Sequence, residues 1–434
     1  MSRLIYLSRA EKRVLERLVK RAQMDVSSVE SEVKRIIEDV RTRGDRAIVD
    51  FYKKMYGIEI DVKVHTEEFE KAREMVSTEF IEALDYASRN IREFCRAQKP
   101  RSWFSEIRRG VYVGQIVKPI ESVGVYIPGG RAAYPSTALM TVIPALEAGV
   151  ERVVVTTPPD EKGGVNPYVL AALDFLGIRE AYRVGGAHAV AAMAFGTETV
   201  PRVQKIVGPG GIWFTAAKAI ARGMGFVDID FIAGPSEVLV LADETADPEY
   251  IAYDLISQLE HDVSASAVLV TTSEALAKEV DRLMEELVNT VERGDIVRKA
   301  YSSYGAIVVA EDIDKAVEFV NEYAPEHLEV HVAPDKVASI LSKVENAGSI
   351  FVGRYTPVAL GDYVLGPNHV LPTGGYAKVR GGLSILDYLK MVDIAMVEPE
   401  ALGDLAKYVH VLALSEGLVN HYKAVEVRLR KAPS

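Results

Sequence analysis

Apolar residues recur along this chain with two different periods. Between Ser8 and Pro100 they return every three or four positions among charged residues, so Arg9 to Arg21, Ser28 to Tyr52 and Thr66 to Ala97 read as helices, the last ending before Pro100. From residue 112 the pattern changes to short apolar blocks separated by helical stretches. The spacing predicts strand 123–127, a helix from Ser136, strand 152–157, helix 167–176, a strand near Ala181, helix 187–195, strand 203–207 and helix 212–222. A second series follows, with strands 238–242, 266–271, 305–309, 328–332 and 349–352 separated by helices 248–261, 274–288, 312–322 and 334–341. After Pro357 the chain is rich in loop residues, and two helices, 399–414 and 416–430, finish it. Strand and helix alternating at this spacing imply parallel sheets covered by helices on both faces.

The pattern therefore predicts an α/β fold of two similar, incomplete Rossmann-like units with a helical N-terminal segment and a helical tail. Glycines gather at the strand ends of the first unit (Gly129, Gly130, Gly185, Gly186, Gly208, Gly210, Gly211), where loops approach ligands in such folds, yet no G-x-G-x-x-G is present. A length of 434 residues gives room for two or more cores. A net charge of -11 without basic blocks argues against a nucleic-acid partner. No apolar run reaches membrane-spanning length, and the start MSRLIYLSRAEKRVLERL is too charged for a signal peptide. The single cysteine, Cys95, leaves no internal disulfide and no thiolate metal cluster. These features fit a cytoplasmic protein.

Four clusters carry candidate chemistry. Gln258 and His261 lie three residues apart, one turn of a single helix face, and offer an amide oxygen and an imidazole to a metal. Glu326 and His327, in APEHLEV, place two proton acceptors side by side between a helix and a strand. Asp362, in GDY, precedes Asn368 and His369 in a punctuated loop and offers a carboxylate. Glu416 and His421 sit five apart in the tail, a spacing that one helix face does not accommodate. Taken singly, each also fits a plain structural role: a hydrogen-bonded core pair, a charged loop, a solvated turn, an amphipathic tail.

Together the clusters resemble the histidinol dehydrogenases, zinc enzymes that close histidine biosynthesis. The resemblance runs from about Ser102 to Arg428 through VGVYIPGG, VGPGG, DIDFIAGPSEVLVLAD, DLISQLEHD, APEHLEV, NAGSIFVGRYTPVALGDYVLGPNHVLPT, GLSILDYLK and EGLVNH. It implies that Gln258, His261, Asp362 and His421 hold one zinc ion, that Glu326 and His327 are the catalytic pair, and that Ser236 and Glu416 contact substrate beside the zinc and catalytic residues. It implies an intertwined homodimer, with Glu416 and His421 reaching the site from the partner subunit. The implied reaction takes L-histidinol to L-histidine with two NAD and one water. The implied division is an N-terminal segment 1–25, a discontinuous domain 26–125 plus 236–382 holding the zinc and catalytic residues, a dinucleotide-binding domain 126–235, and a tail 383–434.

Two positions depart from the family pattern. Tyr126 is present for the dinucleotide, but His188 stands in GGAHA where the family usually has Gln, and Gly211 stands in VGPGG where it usually has Asn. Loss of one polar partner weakens binding by about 1 kcal/mol or more. The departures leave open weak NAD affinity, a changed dinucleotide preference or a rearranged loop. Two readings compete with the main one: a relative acting on another small polar alcohol, and a zinc-stabilised binding protein without turnover.

Overall fold

The structure, a computed structural model, describes residues 4–21, 26–129 and 133–431; Gly130 lies outside them. In chain order its strands are β1 (Leu4–Tyr6), β2 (Trp103–Arg108), β3 (Val111–Pro119), β4 (Ser122–Tyr126), β5 (Arg152–Thr157), β6 (Ala181–Arg183), β7 (Lys205–Val207), β8 (Asp228–Ile229), β9 (Glu237–Ala242), β10 (Ser266–Thr271), β11 (Gly305–Val309), β12 (His327–His331), β13 (Ser349–Val352) and β14 (Leu389–Val397).

Two all-parallel sheets organise the chain. One runs β6-β5-β4-β7-β8, the other β1-β11-β10-β9-β12-β13. If each sheet is numbered from its own first strand and β1 is set aside, both have the order 3-2-1-4-5. The two units are thus alike in topology, as the alternation implied. Strands β9, EVLVLA, and β10, SAVLVT, are buried along their whole length, because helices cover both faces and leave no polar side to the pleat.

Three features add to the sequence expectation. The segment 1–25 holds the expected helix, Lys12–Lys20, and in addition contributes β1, which adds to the edge of the six-stranded sheet beside β11. The tail 383–434, also expected to be helical, contains β14, which pairs with β3 in an antiparallel sheet of order β14-β3-β2. The helices between Glu30 and Gln98 pack into the two cores around the five-stranded sheet, with Val33, Ile37 and Ile48 against Val154 and Val190, and Phe69 and Ile91 near Val123 and Val155. The division implied by the resemblance joins them instead to 236–382.

The antiparallel sheet stands out from the two cores. All six residues of β2 and all but the first of β14 are exposed, including Trp103, Phe104, Ile107 and Ile394. The helix Pro399–Ser415 likewise exposes Tyr408, Val411 and Leu412.

Candidate active site

Strands β9 and β12 lie side by side inside the six-stranded sheet, with His327 in register with Val238. The catalytic candidates therefore stand at the amino ends of these strands. The helix before β12 ends at Tyr323, and Ala324, at φ 51°, turns the chain so that Pro325 and Glu326 enter the strand. Two reciprocal hydrogen bonds then fix Glu326: Oε2 accepts from the Glu237 amide at 2.8 Å, and its own amide donates to Glu237 Oε1 at 3.3 Å. Glu237 also accepts from the Gly374 amide at 3.0 Å and forms a buried ion pair with Arg21.

His327 is buried, and its Nδ1 lies 3.1 Å from the Glu237 carbonyl oxygen. A carbonyl only accepts, so Nδ1 carries the proton and Nε2 presents a lone pair. That Nε2 makes no hydrogen bond among the described residues and faces Asp362 Oδ1 at 3.8 Å, while Glu326 Oε2 lies 3.5 Å from Nδ1.

Asp362 is delivered by the short helix Val358–Tyr363, which is packed close against β13: a side chain at Gly361 would collide with the Phe351 ring, its Cβ falling 2.2 Å from Cε1. The amide of Val358 at the start of that helix donates to Glu329 Oε1 at 2.7 Å. His369 closes the same side. Its Nδ1 donates to the Asp362 carbonyl at 2.9 Å, and its Nε2 approaches Thr137 Oγ1 at 3.4 Å. His369 follows Asp362 in the chain with no spacing that marks a role; its place beside Asp362 depends on the turn through Gly366, at φ 111°.

The third wall is the helix Pro248–Leu259, capped at its start by Asp247 and packed over β9 and β10. Its last turn buries Gln258. His261 follows, exposed, with its amide bonded to the Gln258 carbonyl at 3.3 Å. Ser236, half-buried, precedes β9, and its carbonyl accepts from Ser266 at 3.0 Å.

Burial governs the electrostatics. The Glu326 carboxyl is pushed well above the carboxylate range by burial, then by the charges of Glu237 and Asp362, with the Glu237 amide pulling the other way. Burial lowers His327, against the opposing pull of Asp362, so the imidazole stays neutral around pH 7 and able to accept a proton. Burial lowers His369 in the same way.

The donor set suits a divalent ion. Gln258, His261 and Asp362 offer amide oxygen, imidazole nitrogen and carboxylate oxygen, the hard and borderline ligands that zinc accepts. The unpartnered His327 Nε2 looks onto the same space. Within one chain, however, the grouping of His, Cys, Asp and Glu found close enough to hold an ion does not include His261, Asp362 or His421. Glu416 and His421 are exposed, the latter in the helix Val419–Lys431, which buries none of its residues.

On the other sheet, Tyr126 ends β4 and Gly208 follows β7, at the carboxyl-end crevice where strand order reverses. The Tyr126 ring stacks on Phe214 at 4.0 Å, and its hydroxyl accepts from the Gly186 amide at 3.3 Å. Gly211 caps the helix Ile212–Gly223, whose first amides receive no side-chain cap and suit a phosphate. A side chain at Gly211 would meet nothing within 4 Å, so packing does not demand glycine there. His188 is buried in the helix Gly186–Phe195, its ring 4.1 Å from that of Phe51.

A family model described as histidinol dehydrogenase matches residues 19–429. A histidinol dehydrogenase of Methanothermobacter thermautotrophicus is 49% identical over 428 residues, 98% of this chain and 100% of that protein. One of Methanopyrus kandleri is 48% identical over 428 residues, 97% of this chain and 99% of that protein. Among solved structures, that of histidinol dehydrogenase from Elizabethkingia anophelis matches with a TM-score of 0.95 at 36% identity, covering 100% of this chain and 99% of the other.

Proposed function

The chain belongs to the histidinol dehydrogenase family, and from that premise we propose that it oxidises L-histidinol through histidinal to L-histidine in the cytoplasm, reducing two NAD and consuming one water. The carrying observation is the tautomer of His327: Nδ1 is held by a backbone carbonyl 3.1 Å away, while Nε2 makes no hydrogen bond among the described residues and faces Asp362 at 3.8 Å.

The residues divide the work. Gln258, His261 and Asp362, with His421 of the partner subunit, are the proposed zinc ligands. Glu416 of the partner subunit and Ser236 are the proposed substrate contacts beside them. Tyr126, His188 and the helix start at Gly211 are proposed to border the dinucleotide. When bound, zinc supplies Lewis-acid anchorage for the substrate nitrogens, and NAD supplies the acceptor for each hydride. His327 Nε2 takes the carbinol proton as the carbon–hydrogen bond breaks. The resulting aldehyde adds water, and Glu326, whose raised pKa makes it a strong base once ionised, takes the proton of that water. His327, having released its first proton, takes one from the hydrate in the second oxidation. Positioning of both groups by Glu237 keeps them within reach of one carbon through both halves.

The homodimer reading rests on two supports. The exposed apolar side chains of β2 and β14, which belong to one antiparallel sheet, and of the helix Pro399–Ser415 that follows β14 offer surface that suits a partner. Glu416 and His421 are also exposed on that tail.

The test is the NADH formed per L-histidinol, with zinc and after chelation. Two NADH per substrate, lost on chelation and restored by zinc, is the expected result. No NADH from L-histidinol, with turnover of another amino alcohol, overturns the substrate assignment.

A further inference from the structure

The residues of β12 alternate across the sheet, so His327, Glu329 and His331 share one face, toward the helix Pro248–Leu259. That face is otherwise apolar, lined by Val238, Val240 and Ala242. Glu329 and His331 are nevertheless fully buried, and Asp254 on the facing helix, one turn before Gln258, closes the group.

The geometry of the three is that of an ion site. His331 Nε2 lies 3.4 Å from Glu329 Oε2 and 3.8 Å from Asp254 Oδ2, and the three ligand atoms all fall within 4.8 Å of one another. Tetrahedral ligands about 2.1 Å from a metal are themselves about 3.4 Å apart. Among the described residues, neither ring nitrogen of His331 and not the Oε2 of Glu329 makes a hydrogen bond. No lysine or arginine pairs with either carboxylate among the described residues. A fully buried carboxylate, Glu329, and a part-buried one, Asp254, facing one imidazole call for a positive charge between them. Without one, a proton is retained between the carboxylates: burial, then the Glu329 charge and a hydrogen bond shared with Glu329, push the Asp254 carboxyl up to about 8.

We propose that Asp254, Glu329 and His331 bind a second divalent transition-metal ion, structural in role and separate from the zinc proposed at Gln258, His261 and Asp362. The donor set of one imidazole and two carboxylates, with no thiolate, suits Zn2+, Mn2+ or Co2+. The place is also telling. His331 ends β12, beside the end of β9, at the carboxyl-end crevice where the strand order of this sheet reverses. The catalytic candidates occupy the opposite, amino ends of the same strands.

An ion there ties together the three elements that build the active site. Asp254 shares its helix with Gln258, Glu329 and His331 share their strand with His327, and Glu329 Oε1 holds the amide that starts the Asp362 helix. The second ion thus braces the scaffold and touches no reacting atom.

Cobalt is the probe: the full-length protein is stripped with a chelator, dialysed against Co2+, and its metal content and visible absorption are measured. Wild type is expected to hold two ions per subunit, and Glu329→Gln and His331→Gln one each, with a thermal midpoint several degrees lower. His261→Asn is expected to keep one ion, lost in the His261→Asn/Glu329→Gln double variant. A folded wild-type protein with one ion, lost in His261→Asn and kept in His331→Gln, overturns the second site and leaves the catalytic reading standing. One ion with the opposite response supports the second site and overturns the catalytic metal. An absence of bound cobalt overturns both.

Discussion

The guanidinium of Arg21 makes a two-pronged ion pair with the carboxylate of Glu237, 216 positions later in the chain, and Glu237 in turn holds the amide of Glu326. The two side chains are 2% and 3% exposed. Arg21 also donates to the carbonyls of Tyr323 and Ala324, at 2.8 and 3.2 Å, and lies over the Tyr323 ring. It thus binds the turn that delivers the catalytic pair. Breaking such a pair on one side strands a buried charge and costs about 3–5 kcal/mol. Arg21→Met should lower stability by that order in denaturant unfolding, whereas Arg21→Met/Glu237→Gln should recover a large part of it. Equal losses in the single and double variants would show that the pair is not what holds the turn.

His327 and Glu326 should separate kinetically. Removing a general base typically costs about 10²–10⁴ in rate. His327→Asn is expected to lose that factor with L-histidinol and with histidinal alike, because the same Nε2 serves both oxidations, while zinc content stays at the wild-type level. Glu326→Gln should impair the histidinal half more than the alcohol half, since its proposed task is the addition of water. Single-turnover NADH formation from each substrate distinguishes the two. Loss of zinc in His327→Asn would mean that the imidazole is a ligand and not the base.

Much of the fold was readable because its physics is local. Strands buried on both faces must be apolar throughout, and β9, β10 and β5 announce themselves as such. The site candidates were legible through the motifs that carry the family resemblance; Gln258 lies in the last turn of the helix Pro248–Leu259, Glu326 and His327 at the start of β12 and Asp362 in the helix Val358–Tyr363. What escaped depends on contacts distant in sequence. Strand β1 is three residues long and becomes a strand only beside β11. Strand β14, LKMVDIAMV, is exposed on nearly all positions and lacks the one-sided alternation that marks a half-buried strand. Nothing around Arg21 marks it as the partner of Glu237. The group Asp254, Glu329 and His331 did leave a trace, since polar residues at 327, 329 and 331 alternate within an otherwise apolar strand. Its meaning required the facing helix.

His188 gives a pH signature. Burial is the chief cause that lowers its pKa to about 4, with the Asp39 charge opposing, against 6.5 for the free side chain. The unfolded chain therefore binds a proton that the fold refuses, so stability is full above about pH 6.5 and declines until the pH reaches about 4. At pH 5 the loss from this residue is roughly 2 kcal/mol. His188→Gln should remove that part of the slope: the difference in unfolding free energy between pH 7.5 and pH 5 shrinks by this amount relative to wild type. An unchanged slope would place the ring in contact with solvent or with an acidic partner.

The proposed sharing of active sites between subunits is open to a complementation test. If His421 of the partner subunit serves each site, a His261→Asn chain and a His421→Asn chain are each inactive as homodimers. In a mixed dimer, one site receives both lesions and the other receives none. Random reassortment of equal amounts makes half of the dimers mixed, so about a quarter of wild-type activity should return on unfolding and refolding the two variants together. A single site assembled within one chain predicts no recovery at any mixing ratio. The exposure of Glu416, which caps the helix Pro399–Ser415, and of His421, on the helix Val419–Lys431 that buries nothing of its own, favours the first outcome, since both side chains are left open to a partner. The same experiment with Glu416→Gln in place of His421→Asn asks whether the substrate contact is crossed as well, and recovery in both cases would place the whole tail in the partner's site.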